Sequence, residues 1–177
     1  MNKQIILPKT YIDGITTSTI FLAGPSRSTY DWQSEAIRIL LDLQSDLTIV
    51  NPKRAVQGDL IKRVIEGDNT HFSRQRAWER HYLNLASKTG CIMFWLPEET
   101  EHSCKKVYGA MTRVEIRQWM TNYKHDNSVR FCVGSDGKFQ ELHTIVYDLS
   151  IDAPSKIVLP TLEQTCQEAI KLATQHQ

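Results

Sequence analysis

The segment Cys91-Ile92-Met93-Phe94-Trp95-Leu96 is apolar at every position and is followed at once by Pro97. A strand with one face in water alternates apolar and polar residues, so this continuous run predicts a strand that is buried on both faces. Such strands belong to parallel sheets that carry helices on both sides. This segment therefore places the chain in the α/β class.

Shorter apolar runs elsewhere alternate with stretches of helical spacing, the order expected of successive strand–helix–strand units. The predicted strands are 19–23, 47–50, 91–96, 129–133 and 156–159, and the predicted helices are 31–43, 73–87, 112–123, 139–149 and 162–174. Asp31 is the predicted N-cap of the first helix, and Thr161 with Gln164 has capping-box spacing at the last. The polar segment 53–70 predicts loop with one short helix. We expect a flavodoxin-like (Rossmannoid) doubly wound sheet of about five parallel strands with helices on both faces.

Length and charge set limits on organisation and partners. The 177 residues suffice for one domain, divided into an N-terminal arm (1–18), a core (19–159) and a C-terminal helix (160–177). With 21 basic and 20 acidic residues the net charge is +1, which disfavours nucleic acid or an anionic membrane as the main partner. The chain has neither a membrane-length apolar run nor a signal-type start, so we expect a soluble, cytoplasmic protein.

The cysteines do not have the spacing of a metal site. Cys91, Cys104, Cys132 and Cys166 lack the close pairs of zinc motifs, and a chain of this length does not need a disulfide framework. We expect reduced thiols that lie partly in the core, and no metal.

In a doubly wound sheet, ligands bind beyond the carboxyl ends of the strands, where the strand order reverses. The Gly24-Pro25 turn, Asn51, Pro97 and the loop before Thr112 follow predicted strands and are the candidates for that place. Gly24 permits close approach of the backbone to a ligand, although an ordinary strand-ending turn has the same sequence. Nearby, Arg27 either pairs with an anionic group or is solvated.

Two helical stretches carry further candidates. Gln75 and Glu79 are four residues apart and share a helix face, whereas Trp78 points towards the core stripe. That polar face either binds a heterocyclic base or is simply solvated. Further on, Thr112 and Glu115 have the spacing of a capping box, but a carboxylate in the first turn of a helix is also held ionised, as a nucleophile must be.

Taken in order, these motifs resemble the nucleoside 2-deoxyribosyltransferase-like family over roughly positions 19–150. The matching segments are 20–27, 32–41, Asn51-Pro52, Gln75-x-x-Trp78-Glu79, 92–97 and 109–115. The resemblance implies no metal and no cofactor, with Glu115 as a nucleophile that attacks the anomeric carbon of a (deoxy)nucleoside or nucleotide. It implies Glu79 as the group that handles the proton of the leaving base. The expected substrate-binding residues are Ala23, Gly24, Pro25, Ser26, Arg27, Asn51, Gln75, Trp78, Trp95, Met111, Thr112 and Arg113.

The same resemblance leaves several functions open. Arg117 stands where the family often has glycine, Phe21 lacks a hydroxyl that some branches carry, and Thr89-Gly90-Cys91 lacks the usual aspartate. A catalytically weak nucleotide-binding or sensing module on the same fold is therefore an alternative to the enzyme. The excess of basic residues over acidic ones between Lys53 and Arg80 is either a solvated basic face or a site for a phosphate-bearing ligand, and the second interpretation keeps a nucleoside 5′-monophosphate hydrolase open. Either water or a second base completes the reaction, and the family implies a homo-oligomer, a dimer or higher.

Overall fold

The computed structural model describes residues 4–53, 71–102 and 107–175 and contains a parallel sheet in that part of the chain. Its strands are β1 (Gln4–Ile6), β2 (Ser18–Ala23), β3 (Leu47–Val50), β4 (Gly90–Leu96), β5 (Phe131–Ser135) and β6 (Val158–Leu159). The order across the sheet is β1-β3-β2-β4-β5-β6, and every neighbouring pair is parallel. Strands β2 to β6 have the expected flavodoxin-like order, so the predicted fold class is confirmed. The edge strand β1, which pairs with β3, is a sixth strand that the sequence analysis missed.

Helices cover both faces of the sheet and divide the core into two layers. The helices are α1 (Trp32–Leu43), α2 (His71–Thr89), α3 (Ala110–His125), α4 (Leu142–Asp152) and α5 (Leu162–Thr174). Side chains of α2, α3 and α4 pack on one face, and those of α1 and α5 pack on the other. Strand β4 is buried at all seven positions and supplies Phe94 to the first layer and Met93 to the second, as predicted for a central strand.

The ends of the helices test the predicted caps. The Asp31 carboxylate accepts a hydrogen bond from the Ser34 N–H (3.2 Å), and the Thr161 hydroxyl accepts one from the Gln164 N–H (3.2 Å), so both predicted N-caps are confirmed. Helix α4 begins at Leu142, three residues later than predicted. The short helix predicted within 53–70 cannot be compared, because residues 54–70 lie outside the described part of the chain.

Helix α2 passes directly into strand β4. Thr89 is the last residue of the helix and Gly90 the first of the strand. A Cβ atom at Gly90 would lie only 1.7 Å from the carbonyl oxygen of Thr19 on β2, so a side chain at that position is sterically excluded. The glycine therefore lets the end of α2 meet the sheet without a connecting segment.

The thiols of the three described cysteines lie in the interior, in line with the expectation of core thiols. Cys91, Cys132 and Cys166 are unpaired and buried, whereas Cys104 lies outside the described residues. Among the helices that the structure describes, none combines the length and the apolar character that crossing a bilayer requires.

Candidate functional site

A cleft of about 210 Å³ opens at the carboxyl end of β2, beside β4, where the strand order reverses. Its wall consists of residues 24–28, which follow β2, and residues 107–112, which lead into α3. Gly24, Pro25, Ser26, Arg27, Met111 and Thr112 therefore lie where the sequence analysis expected them. Ala23 is the buried last residue of β2 and stands behind this wall.

Tight packing against α1 and β4 fixes the Gly24-Pro25 turn. A Cβ atom at Gly24 would lie 2.3 Å from the Trp95 carbonyl oxygen and 2.8 Å from Cζ2 of Trp32. The Pro25 carbonyl accepts hydrogen bonds from Nε1 of Trp32 (2.7 Å) and Nε2 of Gln33 (3.3 Å). This side of the cleft is therefore preorganised by α1.

The loop after β4 is tied to both walls of the cleft. The Ser28 carbonyl accepts hydrogen bonds from the Thr100 N–H (2.8 Å) and from the Thr100 hydroxyl (3.3 Å). The buried Tyr108 hydroxyl donates to the carbonyls of Pro97 (2.9 Å) and Glu98 (3.3 Å). Burial raises the pKa of Tyr108 to about 12, so this donor stays protonated. No pattern in the sequence marks Tyr108, because its partners are backbone atoms about ten residues away.

Helix α3 begins earlier than the capping-box spacing predicted. Gly109 is the N-cap residue, in the left-handed conformation (φ +62°), and Ala110 is the first helical residue. Thr112 lies within the first turn and is buried at the cleft, so it is not the cap. Glu115 falls in the second turn, beyond reach of the helix N-terminus. The capping-box interpretation of Glu115 is wrong, and so is the expectation that a first-turn position keeps it ionised.

Glu115 instead joins a group of side chains on α2. Nη1 of Arg76 donates to Oε1 of Glu115 (2.5 Å) and to Oε2 of Glu79 (2.6 Å). Nε2 of Gln75 donates to Oε1 of Glu79 (3.0 Å), as the four-residue spacing on one face predicts. We call Gln75, Arg76, Glu79 and Glu115 the carboxylate cluster. Its centre, Arg76, was absent from the predicted site, because a bond across 39 positions leaves no local signal in the sequence.

The cluster is removed from water, which changes its electrostatics. Only 14% of the Glu115 side chain, 17% of Glu79 and 25% of Arg76 is exposed. Burial raises the pKa of Glu115 above its ordinary value, the Arg76 guanidinium partly offsets that rise, and the Glu79 charge adds to it. Burial lowers the pKa of Arg76, but its two carboxylate partners outweigh this and the net pKa is raised. Arg76 therefore stays cationic, and its charge opposes the rise in the pKa of Glu115.

The cluster and the cleft share one face of α3. Met111 lines the cleft, and Glu115 follows it by four residues, so both side chains project from the same side of the helix. One such step is about 6 Å along the helix axis. The Glu115 carboxylate therefore lies roughly one turn beyond the wall of the cleft.

Both predicted tryptophans have structural contacts. The Trp78 ring is fully buried beside Phe21, at 6.2 Å between ring centroids, and its Nε1 donates to the Thr10 carbonyl (2.7 Å). The ring of Trp95 is buried on the opposite face of the sheet, and its Nε1 donates to the Tyr30 hydroxyl (3.1 Å). Neither ring is part of the cleft wall formed by the described residues.

The side chains of Asn51 and Arg113 likewise make structural contacts. The Asn51 side chain accepts a hydrogen bond from the Lys53 N–H (3.0 Å) and shapes the turn after β3. Arg113 donates to the carbonyls of Tyr108 and Gln140 and stacks over the Phe139 ring (4.8 Å). It therefore fastens the start of α3 to the turn before α4.

Arg117 does not crowd Glu115, although it replaces the glycine common in the resembled family. Its Nη1 forms ion pairs with Asp148 and Asp152 of α4, each at 3.0 Å. Glu115 turns towards α2, so the two neighbouring side chains point to different helices. The cation at position 117 thus leaves the carboxylate cluster undisturbed.

The basic segment between Lys53 and Arg80 is partly neutralised by carboxylates. Lys53 forms an ion pair with Asp31 (2.6 Å), and Arg76 binds two carboxylates. Arg54, Lys62 and Arg63 lie outside the described residues. In the part of the chain that the structure describes, no carboxylate is paired with Arg27, which leaves this exposed cation at the cleft available to a ligand.

Within the described ranges, no three His, Cys, Asp or Glu side chains come close enough together to hold a metal ion. Comparison of the chain with models of known protein families found no match, and comparison with curated proteins found none at the required significance. The fold by itself is compatible with many functions, so the function has to be inferred from the cleft and the carboxylate cluster.

Proposed function

We propose that the protein cleaves or transfers the N-glycosidic bond of nucleosides or nucleotides, with the Glu115 carboxylate as nucleophile. The observation that carries this proposal is the position of Glu115, one helical turn from the cleft, largely dehydrated and bound to a guanidinium. The order of sequence motifs that resemble the nucleoside 2-deoxyribosyltransferase-like family supports the same residue.

The proposed reaction has two displacements at the anomeric carbon. A Glu115 oxygen forms a bond to C1′ as the C1′–N bond breaks, and the base leaves with the bonding electrons and takes up a proton from solvent water. A second base or water then attacks C1′, breaks the bond to the Glu115 oxygen and gives up its own proton to solvent, so the carboxylate is restored and the configuration is retained.

Glu79 supports this reaction indirectly. Both of its oxygens accept hydrogen bonds, one from Gln75 and one from Arg76, which is the pattern of an ionised carboxylate. To deliver a proton to the leaving base, Glu79 would first have to release one of these donors. We therefore assign it the role of anchoring Arg76 in place of the expected role in proton transfer.

The size of the cleft favours the sugar as the part of the substrate that it holds. Its volume of about 210 Å³ is below the roughly 300–1,000 Å³ typical of pockets that enclose a whole drug-sized ligand. The Ser26 and Thr112 hydroxyls belong to residues of the cleft wall and are suitable partners for sugar hydroxyls.

The test is incubation of the purified protein with a panel of nucleosides and 5′-monophosphates, with and without an acceptor base. Glu115→Gln preserves the shape of the side chain but removes the nucleophile, and Glu35→Gln changes an exposed glutamate of α1 on the other face of the sheet. We expect free base or exchanged nucleoside from wild type and Glu35→Gln, and a loss of at least a hundredfold in Glu115→Gln. Mass spectrometry of the quenched reaction should show a glycosyl adduct on Glu115.

Binding of the ligands without turnover across the panel would refute the proposed enzymatic activity and support the alternative of a nucleotide-binding module. Light scattering on the same preparation tests the expected homo-oligomer.

Arg27 favours a second form of this activity, the hydrolysis of nucleoside 5′-monophosphates. It is an exposed cation in the cleft wall, and a guanidinium is well suited to bind a phosphate. Arg27→Ala should raise KM for monophosphates about 10- to 100-fold and leave KM for nucleosides unchanged. An equal effect on both substrates would exclude a phosphate contact.

A further inference from the structure

We propose that Arg76 is a positioning residue, which keeps the Glu115 carboxylate charged and aimed by binding it and Glu79 on one guanidinium nitrogen. This inference rests on the proposed role of Glu115 as a nucleophile. It adds the residue that prepares the nucleophile, a role that the motifs in the sequence do not indicate.

The geometry of the contact carries the argument. Arg76 and Glu79 are three residues apart on α2, so the helix itself sets their separation, and Glu115 approaches from α3. Nη1 of Arg76 is 2.6 Å from Oε2 of Glu79 and 2.5 Å from Oε1 of Glu115. Gln75 in turn fixes the other oxygen of Glu79. The guanidinium is thus held from the α2 side and presents its charge to Glu115.

Without Arg76, the same arrangement would favour a protonated Glu115. Two carboxylates that are largely buried and are both bound to one guanidinium nitrogen, at 2.6 Å and 2.5 Å, do not both remain ionised when that cation is removed. Among the described residues, the charged groups that act on Glu115 are Arg76 and Glu79, both on α2. Burial and Glu79 raise the pKa of Glu115, and Arg76 opposes them. A protonated Glu115 would lose its nucleophilicity, so Arg76 extends activity towards lower pH.

The test follows the Glu115 carboxyl directly, by ¹³C NMR of protein labelled at the side-chain carboxyl carbons of glutamate. The Glu115 signal is assigned from its loss in Glu115→Gln. Arg76→Met removes the cation, Arg76→Lys keeps a positive charge, and Arg80→Met removes an exposed cation one helical turn further along α2. The pH dependence of kcat/KM is measured on the same variants.

We expect the pKa of Glu115 to rise by about one to three pH units in Arg76→Met, less in Arg76→Lys, and not at all in Arg80→Met. The acid limb of kcat/KM should move by the same amount. An unchanged Glu115 titration in Arg76→Met would overturn the inference. If Arg76→Met does not fold, the same rise is expected when it is combined with Glu79→Gln and compared with Glu79→Gln alone. A shifted titration without glycosidic activity in any variant would refute the proposed function but leave the control of Glu115 ionisation by Arg76 supported.

Discussion

Replacing Gly24 by alanine tests the close packing that shapes the cleft. The added Cβ would lie 2.3 Å from the Trp95 carbonyl, and this atom belongs to the central strand β4, which cannot shift without disturbing its neighbours β2 and β5. Overpacking of this kind costs about 1–3 kcal/mol, and the unfavourable φ of +155° adds about 1 kcal/mol. We therefore expect the free energy of unfolding to fall by about 2–4 kcal/mol. With a urea m value of about 2 kcal/mol/M, the unfolding midpoint moves down by about 1–2 M.

Gly14→Ala is the matched control. Gly14 also has a positive φ (+69°), but nothing lies within 4 Å of its added Cβ, so only the backbone cost of about 1 kcal/mol remains. Urea unfolding followed by circular dichroism compares both variants with the wild type. If Gly24→Ala were no less stable than Gly14→Ala, the steric argument for the turn would be wrong.

Three further predictions concern stability. Asp31→Ala removes the N-cap of α1 and should lower the free energy of unfolding by about 1 kcal/mol. Burial raises the pKa of Asp31, but its hydrogen bonds lower the pKa overall, so the stabilising effect is present near neutral pH and is lost as the pH falls through the folded-state pKa, which acid titration of both proteins will show. Tyr108→Phe should lower the free energy of unfolding by about 1–3 kcal/mol. Because the pKa of Tyr108 is raised to about 12 from 10.0, the stabilisation by its hydroxyl should decline as the pH rises between these values, and a difference from the wild type that does not change with pH would contradict this. Arg117→Met removes the ion pairs to Asp148 and Asp152 and should lower the free energy of unfolding by about 1 kcal/mol without changing kcat/KM. A tenfold fall in kcat/KM would instead place Arg117 at the carboxylate cluster.

The sequence predicted the sheet well because each strand carries its own signal. The uninterrupted apolar run of β4 and the flanking turn residues depend on local composition, and the observed strands β2 to β6 lie within a few residues of the predicted ones. Strand β1 was missed because three residues at a sheet edge form no pattern that separates them from a tail. Its pairing with β3 is a long-range contact that only the folded sheet reveals.

The site was predicted in part, and the errors have a common cause. Gly24, Ser26 and Met111 lie in the cleft wall, since position after a strand or at a helix start follows from the topology. The capping box at Thr112 failed because Gly109 adopts a left-handed conformation and starts the helix earlier. The role of Arg76 depends on how α2 and α3 are placed side by side, and no local spacing encodes that relation.

The direct passage from α2 to β4 fixes the length of the chain between the carboxylate cluster and the sheet. One residue inserted between Glu79 and Gly90 would turn the cluster by about 100° around α2, away from Glu115, if β4 kept its register. If α2 kept its orientation instead, every side chain of β4 would exchange faces and both layers of the core would be mispacked. Relatives that preserve the proposed chemistry should therefore show substitutions but no change of length between Glu79 and Gly90. The loops at the cleft are free to vary in length, and in the proposed enzyme such variation would alter the choice of substrate.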